Sequence, residues 1–422
     1  MKRLPVFCSI LTTLIILGRT ENPYAEIIEG GPGINRSIRE AIRIAAPGDT
    51  VRVGKGVYSE GNIQIQKKIH LVGIDMPVLD GNGRSEIFTI TADSVTIEGF
   101  VFTNTGFSYI VDMAGIRIEQ GKYCRIRNCR FNDTYFGIYL KSARHCTVEG
   151  NIIRGKPQNE VNSGNGIHMY DCDDILVKDN EVTGHRDGIY LEFTKNSTIS
   201  GNNSYQNLRY GLHFMFSDHD EYIGNTFRRN GTGVAVMFSK NIIMKGNNFA
   251  DNWGPAAYGL LFKEISDGEL IDNKFHRNTV GILADGALRI RIRYNNFSEN
   301  GWAMNIFGNS MNNEISNNNF IGNTFDLTTN SGRNNNLFLH NYWDQYTGYD
   351  LDRDGFGDVP HRPVKLFSYV LGKVSASIIL LRSFFAGVID FAEKVSPMIT
   401  PVDLTDQSPG IQKNYYAGNQ GS

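Results

Sequence analysis

Beyond residue 110 the apolar positions fall in short alternating runs. Gly115, Gly137, Gly166, Gly188, Gly211, Gly233, Gly259 and Gly281 each open a stretch such as GIYL, GIHM, GLHF or GVAV, with the first and third following residues apolar. A period of two reads as a strand with one face buried. A second row, of the form apolar-x-x-Asn-x-apolar, places Asn151, Asn180, Asn202, Asn225, Asn247, Asn273, Asn295, Asn318 and Asn341 at spacings of 29, 22, 23, 22, 26, 22, 23 and 23. Two rows sharing one period define a repeat. A unit near 22 residues is too short for helical-hairpin repeats and lacks leucine-rich spacing, but it fits one coil of a right-handed parallel β-helix with three short strands. The fold class is therefore all-β. The Asn row becomes an internal ladder whose amides bond from coil to coil. The long spacings predict lateral insertions near residues 154–164 and 251–258.

The ends break the rhythm. INRSIREAIRIAA, residues 34–46, carries Ile34, Ile38, Ala41, Ile42 and Ala45 at helical spacing and reads as a cap helix on the first coil, within an N-terminal region of residues 26–46. The solenoid is expected over residues 47–345, followed by an Asp-rich loop at 346–363 and an amphipathic tail at 364–422. Residues 370–394 place Leu371, Val374, Ile378, Leu381, Phe385 and Val388 on one helix face, for burial on the solenoid end, a partner or a membrane surface. The stretch SPMITPVDLTDQSPG reads as an extended polar tail. At the other end, Lys2 and Arg3, the apolar run LPVFCSILTTLIILG and the sequence PYA have the order of a secretory signal, with cleavage expected near Ala25.

Composition narrows the function. A net charge of -2 without a basic block speaks against a nucleic-acid partner, and a 41% hydrophobic fraction supports a sizeable core. An exported chain carries Cys124, Cys129, Cys146 and Cys172 into an oxidising compartment. Cys124 and Cys146 occupy equivalent places on successive coils, with Cα atoms about 5 Å apart, so both a disulfide and stacked free thiols are open.

In the Gly-row strands the second and fourth residues point outward. Coil by coil, this face shows His168/Tyr170, Tyr190/Glu192, His213/Met215 and Ala235/Met237. Thioethers on adjacent coils beside imidazoles suit Cu(I), which makes His213, Met215, Met237 and His168 copper candidates. An apolar face under a lateral loop, with Met as gap filler, is the alternative. In GYDLDRDGFGD, Asp350, Asp352, Asp354 and Asp358 take positions 1, 3, 5 and 9 of a Ca²⁺ loop, with Gly355 at position 6; His361 replaces the usual Glu at position 12. A structural Ca²⁺ is the expectation.

The tail carries a resemblance. NYWDQYTGYDLDRDGFGDVPHRPV, an apolar helix containing LLRSF, and DFAEKVSPMITP, behind a signal segment and an Asn-ladder β-helix, closely resemble the NosD family of periplasmic β-helix proteins. The resemblance covers nearly the whole mature chain. It implies a non-enzymatic partner of a membrane ABC transporter, with its permease subunit and ATPase. That partner works with a copper chaperone lipoprotein to supply copper to nitrous oxide reductase. No copper ligand carries over by motif. The rival class is a secreted polysaccharide lyase, hydrolase or epimerase, although Asp173, Asp174 and the run His185-Arg186-Asp187 form no acid/base constellation expected of those enzymes. A purely adhesive solenoid is a third class.

Overall fold

The computed structural model describes residues 26–31, 36–108, 110–157, 159–331, 335–373, 375–381, 383–396 and 404–416. The signal segment expected at residues 1–25 lies outside them. Among the described residues the chain winds a parallel β-helix with three sheets of 14, 12 and 13 strands, all paired in parallel. Each coil contributes one short strand to each sheet. The coil of Arg125–Arg127, Arg130–Asn132 and Phe136–Lys141 stacks directly on that of Thr147–Glu149, Ile152–Arg154 and Ile167–Tyr170.

Alternation explains the interior. Ile138, Leu140, Ile167, Met169, Ile189, Leu191, Leu212 and Phe214 are fully buried, as the Gly-row pattern requires. The Asn row runs inside the bend between the 14- and 13-stranded sheets. Each side-chain oxygen accepts the backbone N–H and side-chain amide of the preceding rung, as Asn202 does for Asn180 at 2.9 and 3.0 Å. A second ladder, at Asn207, Asn230, Asn252, Asn278, Asn300 and Asn323, lines the next bend, each side-chain oxygen from Asn230 on accepting the backbone N–H of the preceding rung. Phe249, Phe275, Phe297, Phe320 and Trp343 stack through the core at 4.1–5.0 Å.

The ends differ in part from the sequence expectation. A helix forms at Ile38–Ile44, with Ser37 capping it and Ile38, Ala41 and Ile42 buried. It does not precede the first coil. Strand Ile27–Gly30 already pairs with Thr50–Val53, so the helix is inserted between the first two strands of the 14-stranded sheet. The lateral insertions near 154–164 and 251–258 are present, between Ile152–Arg154 and Ile167–Tyr170 and between Asn248–Ala250 and Tyr258–Ser266.

The expected single helix over 370–394 is instead a broken hairpin: an α-helix at Leu366–Lys373, a 3₁₀ stretch at Ser375–Leu380, and an α-helix at Phe384–Val395. The break has a cause in Ser383, whose hydroxyl caps the second helix by accepting from Ala386 N. Glu393 Oε1 accepts from Leu366 N at 2.9 Å and ties the two helices together. Of the expected extended tail, residues 397–403 lie outside the described residues, and the part that follows is bound to the solenoid end. Asp406 pairs its backbone with His361, at 2.9 Å in both directions, and its buried carboxylate ends the first Asn ladder. Asp406 Oδ2 accepts from Asn341 N and Asn341 Nδ2 at 3.0 Å and from Trp343 Nε1 at 3.1 Å.

Candidate functional site

The outward face of the 12-stranded sheet is assembled by register. His168, Tyr190, His213 and Ala235 follow one another across four coils, and Tyr170, Glu192, Met215, Met237 and Lys263 form the parallel row two residues further on. Met215 and Met237 are register partners, so their Cα atoms lie about 4.8 Å apart. Both side chains are half-buried. The two methionines are therefore adjacent and partly exposed.

The histidines are not surface groups. His213 is 2% exposed and His168 7% exposed, although both lie on the outer side of the sheet. They sit in a stack of phenol and imidazole rings: Tyr139 lies 4.7 Å from His168, His168 4.8 Å from Tyr190, and Tyr190 4.5 Å from His213, with the last pair nearly parallel at 13°. Tyr210 covers another side of His213 at 4.7 Å. Of the four copper candidates, His168 stands apart. Tyr190 stands between the two imidazoles, and His168 Nε2 faces Glu192 at 3.8 Å, so His168 does not join the group of His213, Met215 and Met237.

Beside His213 lies a residue that sequence reasoning set aside. Asp187 is fully buried, with its oxygens 3.5 Å from His213 Nδ1, 3.6 Å from Arg209 Nε and 3.8 Å from Arg186 Nε. Burial alone raises the Asp187 pKa, but His213, Arg209 and Arg186 outweigh it and hold the carboxyl below its ordinary value. Burial lowers the His213 pKa, partly opposed by Asp187, which favours neutral imidazole, the form that binds metals. His213 Nε2 is buried without a hydrogen-bond partner. An imidazole two residues from Met215 on the same strand, with Met237 on the next coil, offers the ligand types that suit a soft monovalent metal.

A further row was missed. Phe193, Phe216 and Phe238 directly follow Glu192, Met215 and Met237, stack at 5.3 and 5.1 Å, and are 37–43% exposed. Each has a φ of 51–52°, a left-handed turn that bulky residues rarely adopt. The signal was present as Phe five residues after each of three successive glycines of the row, Gly188, Gly211 and Gly233.

At the far end, carboxylate oxygens of Asp350, Asp352 and Asp358 converge within 4.8 Å. Asp354, the fourth expected ligand, is not in this group; its Oδ1 accepts from Phe356 N at 2.8 Å. A bond from Asp354 N lowers the Asp352 pKa, but desolvation and the neighbouring carboxylates carry it above its ordinary value, the repulsion a cation would relieve. His361 points into the solenoid cap against Trp343 at 5.2 Å and supplies no ligand. Cys124 and Cys146 are buried, unbridged neighbours, with Cys124 N 3.4 Å from Cys146 Sγ.

Of the expected docking residues, Leu371 is buried with Phe325, Phe367 and Ala386, and Leu381 packs against them, so these two anchor the hairpin to the last coils. Val374 lies outside the described residues, as does the side chain of Ile378. Phe385 and Val388 are exposed, together with Phe384, Phe391 and Val395. Among the described residues no helix is long and apolar enough to cross a membrane.

Fold and face together define a parallel β-solenoid whose 12-stranded sheet carries, on its outer side, two register-paired methionines and a buried histidine. Residues 43–163 and 154–348 match the family described as periplasmic copper-binding protein (NosD), and the chain belongs to that family. Two curated relatives, from Pseudomonas aeruginosa and Stutzerimonas stutzeri, are each named probable ABC transporter binding protein NosD. They are 30% identical over 181 residues and 27% identical over 139 residues, covering 42% and 32% of this chain. The matches span only 39% and 32% of those proteins' lengths. Among solved structures, the A-module of a mannuronan C-5 epimerase from Azotobacter vinelandii aligns with a TM-score of 0.53 at 17% identity, over 72% of this chain and 88% of its own. The catalytic unit of an α-1,3-glucanase from Streptomyces thermodiastaticus aligns with a TM-score of 0.56 at 14% identity, over 72% and 65%. Identities this low speak for the fold alone.

Proposed function

We propose that this protein is the periplasmic component of an ABC transporter assembly, with a permease and its ATPase, and that it receives or hands on Cu(I) for maturation of the copper centre of nitrous oxide reductase. In this reading a copper chaperone lipoprotein is its other partner. The observation that carries it is the register pairing of Met215 with Met237 beside the unpartnered Nε2 of His213. Two thioethers and one imidazole hold Cu(I) and discriminate against hard divalent ions, while half-exposure leaves the sulfurs open to a donor or acceptor protein. The family description and the relatives' name support the same assignment. Anaerobic titration against a Cu(I) chelator tests it: one site is expected, lost in Met215→Ala/Met237→Ala, and unchanged affinity in that variant refutes the site.

Two further assignments belong to this reading. The exposed apolar face of the hairpin, with Phe384, Phe385, Val388 and Phe391, docks the solenoid on the membrane partner and so holds it at the inner membrane. The loop of Asp350, Asp352 and Asp358 binds Ca²⁺ and orders the junction between solenoid and tail. A carbohydrate-active role is the second reading, favoured by one feature: the buried Asp187–His213 pair lies between two arginines on the outer face of a β-helix. Incubation with uronic acid polymers separates the two, because any epimerised, cleaved or eliminated product would select the enzyme.

A further inference from the structure

The densest gathering of buried polar atoms without partners surrounds Asp187. Both oxygens of this fully buried carboxylate, both ring nitrogens of His213, and the Nε atoms of Arg186 and Arg209 lack hydrogen-bond geometry, although His213 Nδ1 and the two Nε atoms lie 3.5–3.8 Å from the Asp187 oxygens. Guanidinium groups only donate, so Asp187 is the one group in this set that can accept from both arginines and from the imidazole N–H. The imidazole has little freedom to turn away. Tyr190 lies against its face, Tyr210 flanks it, and the next residue in its row is the small, fully buried Ala235.

Register fixes the direction of the contact. Asp187 pairs with Tyr210, three residues upstream of His213, whereas Met215 lies two residues downstream and Met237 beside it on the next coil. With Nδ1 turned to the upstream carboxylate, the opposite edge of the ring, which carries Nε2, faces the methionine side. His168 is the contrast within the same stack: its Nε2 is the atom that faces a carboxylate, Glu192 at 3.8 Å.

We propose that Asp187 is a positioning residue for the copper site: its carboxylate, clamped by Arg186 and Arg209, keeps the His213 proton on Nδ1 and presents the Nε2 lone pair to Cu(I) between Met215 and Met237. This rests on the copper reading above. A metal-binding histidine commonly donates its other N–H to a carboxylate, which fixes tautomer and ring orientation. At 3.5 Å the pair is short of a bond, and a closure of about 0.5 Å makes it one. The two arginines come from adjacent coils, with Arg209 N bonded to Arg186 O at 2.9 Å, so the carboxylate is held by the same stacking that pairs the methionines.

The experiment uses the full chain labelled with ¹⁵N-histidine, and Cu(I) buffered by a chelator. In the metal-free wild type, long-range ¹H–¹⁵N correlation is expected to show the His213 proton on Nδ1. In Asp187→Asn the Nε2–H form should grow and Cu(I) affinity should fall about ten- to hundredfold. In a His213→Ala background the same substitution should have no further effect on affinity, which a purely structural role for Asp187 would not predict. A wild-type proton on Nε2, unchanged affinity in Asp187→Asn, or an equal loss in the His213→Ala background overturns the proposal. The wild-type spectrum needs no variant to fold. Failure of the wild type to bind Cu(I) overturns the copper reading together with this inference, whereas the first three results leave that reading standing.

Discussion

Asp406 offers the sharpest test of how the solenoid is closed. Its Oδ2 accepts three bonds from buried donors of the last coil, Asn341 N, Asn341 Nδ2 and Trp343 Nε1, and Oδ1 accepts a fourth from Ser408 N at 3.3 Å. Asp406→Ala removes every one of these acceptors and leaves three donors inside a fully buried site. At about 1–3 kcal/mol per unsatisfied buried donor, the cost is about 3–6 kcal/mol after some water entry. Asp406→Asn keeps one acceptor oxygen in the ladder, as every earlier rung does, and loses chiefly the charge-assisted part, about 1–2 kcal/mol. Each coil touches only its neighbours, so the loss is local. Hydrogen–deuterium exchange should show the Leu337–Leu339 and Tyr342–Trp343 strands, and then Glu314–Ser316, exchanging faster in Asp406→Ala, with Leu176–Lys178 unchanged. The same logic applies to truncation after Val364, which should fray the final coils and leave the central ones intact. Unaltered exchange at Leu337–Trp343 in Asp406→Ala would refute the capping role.

Other expectations follow from single groups. Asp220, buried with Oδ1 on Ser197 N at 2.7 Å, is pushed up to about 8 chiefly by burial, so it folds protonated at neutral pH. A raised acid stabilises the fold fully only below its unfolded pKa of about 4 and loses that contribution as pH rises towards 8. Asp220→Asn should therefore raise the melting temperature at pH 7, by up to about 4 kcal/mol of stability, with the gain vanishing at pH 4; a pH-independent difference would contradict this. His185, held near 4 by complete burial, has the opposite sign, and its contribution is lost as pH falls from about 6.5 to 4, so His185→Gln should flatten the acid limb of the melting curve. Chelation should lower the melting temperature in wild type but not in Asp352→Asn, and no EDTA effect in calcium-loaded protein would reduce the loop to a turn. Phe384→Asp/Phe391→Asp should leave melting unchanged while abolishing co-purification with the membrane partner, whereas Leu371→Asp should destabilise the hairpin itself.

What the sequence by itself determined is what repeats. The period-two runs and the Asn row established the coils, their buried faces and the first ladder, because each is a local rule applied once per coil. The second ladder at Asn207–Asn323 and the row of Phe193, Phe216 and Phe238 obey the same period and were equally readable, though unread. The adjacency of Met215 and Met237 also followed, since stacking one coil on the next fixes register. Tertiary structure decided what depends on cover and on chain return. His213 faces outward by alternation yet is buried, because tyrosines from neighbouring coils and its own close over it. His168 is parted from it by one interposed ring. Asp187 reaches His213 diagonally across two paired strands, a contact set by side-chain packing at the start of the strand. Asp406 closes a ladder 65 residues upstream, and the hairpin folds back because Ser383 starts a new helix where the apolar stripe alone runs on. Hydrophobic spacing encodes which side of an element seeks burial, but the partner that provides it is chosen by packing among segments whose separation along the chain carries no pattern.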